Sequence, residues 1–495
     1  MHRILTLAVG LLLTQGAPAG PWIDPGDAGL RHDIQVLADA GLIAGPVSTW
    51  PLATADLMGV LDASPLGLTE TERSALGRLK DRLREATVVG DVKFMAHASA
   101  AEHPQEIRSF QDQPRDNGEI GAGIEWTGER YALRLQGQWV SDPDDGKKWR
   151  ADNSYAAVAL GNWMLAASTS ERYWGPGWQS SLILSNNARP VPAFTLERNL
   201  TTPFETRWLS WLGPWDLAVL WGFLDDDRAI PNTRVFSWRF DFRPLRSLEI
   251  GTSFMGLWCG SGQDCGLDEL GDLVSGSGGS GSSDNAEFDR LGGFDVRWSS
   301  RLFGTPFALY THIIGEDFGD GETRLIIPSK ILGQFGAETW GYRDGLGSYR
   351  LFFEWADTEC DFSLYRNVSS DGGGGKPGCA YRNSKYRSGE TYRGRSIAHS
   401  FDQDTSIYTI GGILNDVDNH SWYATVNFGN INRNGAHLST VATNKTSYQA
   451  IELMHRRSFG SFVVGLGLGF EHRDDKVTDQ TDDDFRGFLE LRFPN

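Results

Sequence analysis

The hydrophobic pattern of this chain changes period once, near Thr87. Before that point apolar residues recur at helical spacing. Leu30, Ile34, Leu37 and Ala38 fall at i, i+4, i+7 and i+8, with Gly41 close behind as a stop. A second short helix carries Leu57, Val60 and Leu61, with Thr54 placed to cap it. A third opens at Thr69, where Glu72 three residues on completes a capping-box pattern, and carries Leu76, Leu79 and Leu83. Helices this short bury little surface alone, so residues 20–86 are expected to form a small bundle packed against something larger.

From Thr87 onward the period is two, in short runs separated by Gly, Asp, Asn and Pro. Phe462, Val464, Leu466, Leu468 and Phe470 alternate with Val463, Gly465, Gly467 and Gly469, so one face is large and apolar and the other nearly bare. At the end of the chain Phe485, Gly487, Leu489, Leu491 and Phe493 face one way and Arg486, Phe488, Glu490 and Arg492 the other. An apolar outside and a wet, charged inside is what a membrane barrel requires. A soluble sandwich would invert the two faces, so alternation alone does not choose between them.

The N-terminus adds the compartment. Met1-His2-Arg3 is a positive start, Ile4 to Leu13 is apolar apart from Thr6 and Gly10, and Ala17-Pro18-Ala19 offers a small-x-small cleavage site. Residues 1–19 are expected to be a secretory signal peptide. The rival, an uncleaved anchor, has an apolar run well short of the ~20 residues a span needs. Composition agrees with a barrel: Gly 59, Trp 18 and Phe 26 are high for 495 residues, and Met 6 is low. With ~10 residues per strand plus turns, 87–495 holds about nine hairpins, hence about 16 to 20 strands and an even number. The fold class expected is therefore all-β and transmembrane: a large antiparallel outer-membrane β-barrel with a small N-terminal helical bundle, in contact with outer-membrane lipid. Two insertions, 260–287 with its Gly/Ser run and 358–400, are placed as long outer loops.

The net charge is −18, with acidic runs at 225–227 and 482–484 and no Lys/Arg-rich patch, so nucleic acid is not an expected partner. Those runs have the form of loop tips, with calcium binding as the alternative. Four cysteines lie as two close pairs, Cys259 with Cys265 and Cys360 with Cys379, in loop-like sequence. In an oxidising compartment each pair is expected to be a disulfide, and with no histidines at ligand spacing zinc is not expected. There is no G-x-S-x-G elbow, H-E-x-x-H or Walker loop. His399-Ser400 is the nearest thing to a dyad, and neighbours on a strand face opposite ways. No catalytic residue, cofactor or metal site is expected.

The candidate binding residues lie between 172 and 198, RYWGPGWQSSLILSNNARPVPAFTLER. Trp174 and Trp178 flank the Gly175-Pro176-Gly177 turn, with Arg172, Asn186, Asn187 and Arg189 nearby. Sugar rings stack on aromatic faces while their hydroxyls take amide and guanidinium partners, so the six are a candidate polysaccharide site. The alternative is an interfacial tryptophan girdle with Arg189 paired inside the lumen. Trp208, Trp211 and Trp215 have the girdle reading first.

This block, together with WIDPGDAGLRHDIQVLADAGLI and TWPL near the start, resembles the Wzi-type capsule-assembly proteins of the bacterial outer membrane. The resemblance implies a monomeric barrel of eighteen strands with the helical bundle on the periplasmic side. It implies a lectin-like, non-enzymatic role, holding exported capsular polysaccharide or exopolysaccharide at the cell surface. The Gly/Ser insertion and the cysteine pairs depart from the family core. A porin or solute channel is the competing class; an occluded lumen favours the first and an open one the second.

Overall fold

A computed structural model describes residues 21–86, 89–275, 288–318, 328–361, 378–435 and 438–493. The leader expected at 1–19 and most of the Gly/Ser run lie outside the described residues. Eighteen antiparallel strands close into one barrel, within the range expected from length. The last, Gln480–Phe493, returns to the first, Val92–Glu102, with Phe493 opposite Ala96 and Gly487 opposite Glu102. One stave is interrupted: Trp149–Arg150 and Tyr155–Leu160 both pair with Tyr131–Ser141.

Period-two alternation decides which face meets what. Along Phe462–Asp475, Leu466 and Leu468 are exposed on the outer wall while Gly465 and Gly467 face the lumen. A Cβ on Gly467 would collide with the Phe488 ring, so the bare face is the seat of that phenylalanine. On the last strand Phe485 and Leu489 are exposed, and Glu490 is buried beside Arg456 and Arg492. Charge sits inside because the outside must be apolar.

The three expected helices are present as α1 (Ala28–Asp39), α2 (Thr54–Leu57, continued by a 3₁₀ turn over Met58–Asp62) and α3 (Glu70–Ala86). Asp27 caps α1, accepting from the Leu30 N–H at 2.9 Å. The capping box of α3 forms, with Thr69 N–H donating to Glu72 at 2.8 Å and Glu72 N–H donating back to the Thr69 hydroxyl at 3.4 Å. Thr54 differs from the expectation. It is the first helical residue rather than the cap, because its N–H donates to the Pro21 carbonyl at 3.2 Å and Ala53 takes the cap position.

The barrel's two ends are unlike. One has short turns, at 128–130, 161–162, 246–247, 303–304 and 460–461; the other carries the long loops. The helical segment enters from the short-turn end. Ile34, Leu37 and Val47 pack with Leu76, Leu79 and Leu83 of α3 and with the inward-facing Tyr310, Trp340, Phe352 and Tyr423 of the wall. An Asp33–Arg78 ion pair at 2.6 Å ties α1 to α3, and Asn415 donates to the Gly29 carbonyl at 3.0 Å. From the opposite end the loops 103–117, 169–192 and 378–405 fold inward to meet this segment. Asp112 N–H donates to the Gly26 carbonyl at 2.8 Å, Phe110 N–H to that of Trp178 at 3.0 Å, and Ser185 N–H to that of Ile397 at 2.8 Å. Thus the described part of 358–400 from Gly378 on is plug rather than outer loop: Tyr381, Ile397 and Ala398 are buried in the lumen with Leu182 and Ile183. The lumen is closed by protein packed from both ends. In a planar bilayer the purified protein is expected to give no regular conductance steps, and sustained open-channel steps would contradict the closed lumen.

Candidate functional site

The block 172–198 forms the middle of the plug. Tyr173 and Trp174 pair antiparallel with Trp50 and Thr49, which joins the re-entrant loop to the N-terminal segment. Next comes the Gly175-Pro176-Gly177 turn. Gly175 has φ +138°, and a Cβ on Gly177 would strike the Ser180 carbonyl and the Gln334 amide, so the turn needs both glycines. Arg31 of α1 donates to all three turn carbonyls, at 3.3 Å (Gly175), 2.9 Å (Pro176) and 2.7 Å (Gly177). Its guanidinium also lies over the Phe110 and Trp178 rings, 4.3 and 4.2 Å from their centroids.

Trp178 is held from the wall. Its indole N–H donates to Glu338 at 2.7 Å, its backbone N–H donates to Glu354, and its ring stacks with Phe352 at 5.8 Å. Glu338 also pairs with Arg297 and Arg350, and Arg297 with Asp39 at 2.7 Å, so one chain of charges runs from α1 across the wall to the indole. Trp174 and Trp178 are each 1% exposed. This arrangement is neither the open stacking platform nor the girdle that the sequence suggests. The indole faces are covered by protein, and they lie inside the lumen. Trp208 and Trp211 do stand exposed at the short-turn end, although in the connecting loop, Trp211 on its 3₁₀ turn, rather than on a strand, while Trp215 stacks on Phe204.

The other four residues divide by contact. Asn187 accepts from the Arg108 N–H at 3.1 Å and donates to the Ser396 carbonyl at 3.1 Å, so it joins three inward loops. Arg172, Asn186 and Arg189 line a small cleft of about 20 Å³ with Ser170, Glu171 and Val191, just under the long-loop end. Arg172 is anchored by the Ser170 carbonyl at 2.9 Å and Glu197 at 3.4 Å. Arg189, the half-buried member, is clamped by Asp152 at 2.7 Å and Asp145 at 2.5 Å. The Ser170 hydroxyl and the Asn186 side-chain oxygen have no hydrogen-bond partner among the described residues. Hydroxyl, amide and guanidinium groups beside Leu184 and Val191 suit a polyol hydroxyl. Residue type pointed to three of these; Ser170 and Glu171 carry no sequence signal beyond lying next to the block.

The model of the capsule assembly protein Wzi family matches residues 91–484. The chain belongs to the Wzi family. A Klebsiella pneumoniae protein known as an uncharacterized 55.8 kDa protein in the cps region is 31% identical over 324 residues. That match covers 64% of this chain and 63% of the relative, under two thirds of its length. Among solved structures, Wzi of Escherichia coli, an outer-membrane protein involved in group 1 capsule assembly and described as a carbohydrate-binding β-barrel, superposes with a TM-score of 0.80. It is 23% identical, with 95% of this chain and 99% of that chain covered. This Wzi-family chain is thus a large outer-membrane barrel.

Both expected disulfides are present, with Cα separations of 4.8 Å (Cys259–Cys265) and 6.0 Å (Cys360–Cys379). The second ties the end of strand Gly347–Asp357 to the start of the 378–405 loop, with Cys360 buried in the luminal core. His399 and Ser400 form no dyad: His399 Nδ1 instead accepts the Phe401 N–H at 3.4 Å. Among the described residues no group of three His, Cys, Asp or Glu side chains is arranged to hold a metal.

Three outcomes follow from the plug. Trp178→Ala is expected to cost about 3–5 kcal/mol of plug stability and to admit intermittent conductance where the parent shows none; an unchanged, silent variant would contradict the indole's role. Reduction of Cys360–Cys379, which constrains a short loop by about 2–3 kcal/mol, is expected to expose the 378–405 loop to protease while the barrel stays heat-modifiable on gels. The third concerns pH. Burial pushes the Glu390 carboxyl, on that same loop, up to about 7. A carboxyl raised in the fold contributes stability that is complete below its ordinary value and is lost as pH rises through the folded value. Protease access to the loop should therefore grow between about pH 5 and pH 8, and Glu390→Gln should flatten the dependence.

Proposed function

We propose that this protein retains exported capsular polysaccharide, or a related exopolysaccharide, on the cell surface as a monomeric, non-enzymatic, lectin-like barrel. The observation that carries the reading is the plug: a Wzi-family barrel whose lumen is filled from both ends presents a surface, not a conduit. Short turns in outer-membrane barrels face the periplasm and long loops the outside. On that orientation residues 21–86 close the periplasmic mouth, and the cavity under Arg189 lies toward the polymer. The exposed apolar band on the outer wall is the lipid contact.

Within this reading the six candidate residues have two roles. Trp174, Trp178 and Asn187 hold the plug in shape. Arg172, Asn186 and Arg189, with Ser170, form the polar wall of a small cleft that would take a sugar hydroxyl rather than a whole ring. Each such contact is weak alone, and a repeating polymer gains by multivalency. Cells producing Ser170→Leu, which fills the cavity, or Arg189→Ala, which opens its clamp, are expected to shed polymer into the medium. Heat-modifiable barrel at the parental level in the same cells shows that folding is intact. Normal retention by both folded variants would overturn the cavity assignment, and normal retention in cells lacking the protein would overturn the function.

A further inference from the structure

The second departure from the family core, the insertion after Cys259, builds something on the outside of the barrel. On Leu248–Trp258, Met255 and Leu257 belong to the luminal cluster, so Phe254, Gly256 and Trp258 point out through the wall. Outward residues of an outer-membrane barrel ordinarily meet lipid, yet Phe254 and Trp258 are buried. What covers them is a fourth helix, α4 (Leu267–Ser275). Its Leu273 is fully buried against Phe254, Trp258 and Phe288, and a Cβ on Gly256 would come within 2.7 Å of the Leu273 side chain. Leu270, like Trp221, Phe236 and Trp238, packs against the same cluster.

The path to this position is built. The Cys259–Cys265 ring turns the chain at the rim, held by the Ser261 N–H on the Pro231 carbonyl at 2.8 Å and by the Tyr386 hydroxyl on the Cys259 carbonyl at 3.1 Å. Arg290 then donates to the Asp272 carbonyl at 3.0 Å in the last turn of α4. Helical periodicity puts Leu267, Leu270, Leu273 and Val274 along one side and Asp268 and Asp272 along the other. The wall accounts for Leu270 and Leu273 only. Leu267 is 78% exposed and Val274 50%, as are the outward Phe194 (55%) and Phe294 (43%) of the wall.

We propose that α4 is an interfacial helix of the outer leaflet, with Leu267 and Val274 seated among acyl chains and Asp268 and Asp272 at headgroup level. The partner is a lipid surface. The carrying observation is continuity: the exposed leucine and valine belong to a helix packed on the outer face of an apolar wall that already lies in the membrane, and the acidic side faces away from it. Such helices sit about 5–10 Å deep at the headgroup–acyl boundary. The disulfide ring serves to fold α4 down over the rim instead of up into solvent.

The test places an environment-sensitive fluorescent amino acid, one position at a time, at 267, 274 and 268 in the full-length protein. A probe at Leu351, exposed in mid-wall, is the lipid reference. Each labelled protein, checked for heat-modifiable folding, is reconstituted in phospholipid vesicles with or without bromine on the acyl chains. Probes at 267 and 274 are expected to lose fluorescence to acyl-chain bromine to an extent comparable with 351 and to resist aqueous iodide; the probe at 268 should do the reverse. Iodide quenching at 267 and 274 equal to that at 268 would overturn the proposal. So would protection from both quenchers, which would mean that protein, from a second copy or from this chain, covers the helix instead of lipid.

Discussion

A guanidinium buried in the lumen, that of Arg31, joins the two halves of the plug. Removing such a charge from water is costly unless every donor finds an acceptor. Here three carbonyls of one tight turn accept from its two terminal nitrogens and aromatic rings cover its faces, while its Nε has no partner among the described residues. Those carbonyls converge only because Gly175 and Gly177 allow the turn, and the rings are in place only because Trp178 is held by Glu338 and Glu354 on the wall. Helix α1, the re-entrant loop and the barrel therefore specify one another's positions. None of the three has this geometry without the other two.

The same constraint explains why the interior is so ionic. A barrel in lipid turns its apolar side chains outward, and the inner face of each strand is left with polar positions. The plug that fills such a lumen must match charge with charge. It does so through Asp39, Arg297, Glu338 and Arg350 on one side and through Asp112 with Arg108, Arg456 and Arg492 on another. Burial alone would raise the Asp112 carboxyl, but the surrounding arginines Arg492, Arg108 and Arg456 outweigh it and hold it below the usual carboxylate range. Closure of the lumen and the proposed retention of polymer would rest on the same anchoring. Loops anchored inward at this many points leave a fixed outer surface, on which a cavity lined by Ser170, Asn186 and Arg189 keeps its shape.

The two cysteine rings show how one chemical device serves opposite ends. Cys360–Cys379 fixes where the segment from Gly378 on starts into the lumen, whereas Cys259–Cys265 turns its loop outward over the rim onto the wall. In both cases a short covalent ring sets the direction in which the following segment leaves the barrel.

Much of the architecture was legible in the chain. Period two along Phe462–Phe470 separates a lipid face from a lumen face whatever else the protein contains, and helical spacing with the Thr69–Glu72 box fixes α1 and α3, because these patterns are local. The pairing of cysteines close in sequence was local too. The destination of residues 172–198 was not. Trp174 and Trp178 have the residue types of a sugar platform and of a girdle alike, and composition does not say what will cover an indole. That was decided by Arg31, Phe110, and the hairpin partners Phe352 and Glu338, which come from three distant parts of the chain. Likewise the insertion after Cys259 reads only as linker, until the wall supplies the apolar surface against which Leu270 and Leu273 fold. The sequence by itself determined which way each strand faces, since side-chain alternation is a property of the strand alone. Which residues fill the lumen was decided by the tertiary structure, since a buried charge or ring is satisfied only by partners that the closed barrel brings together.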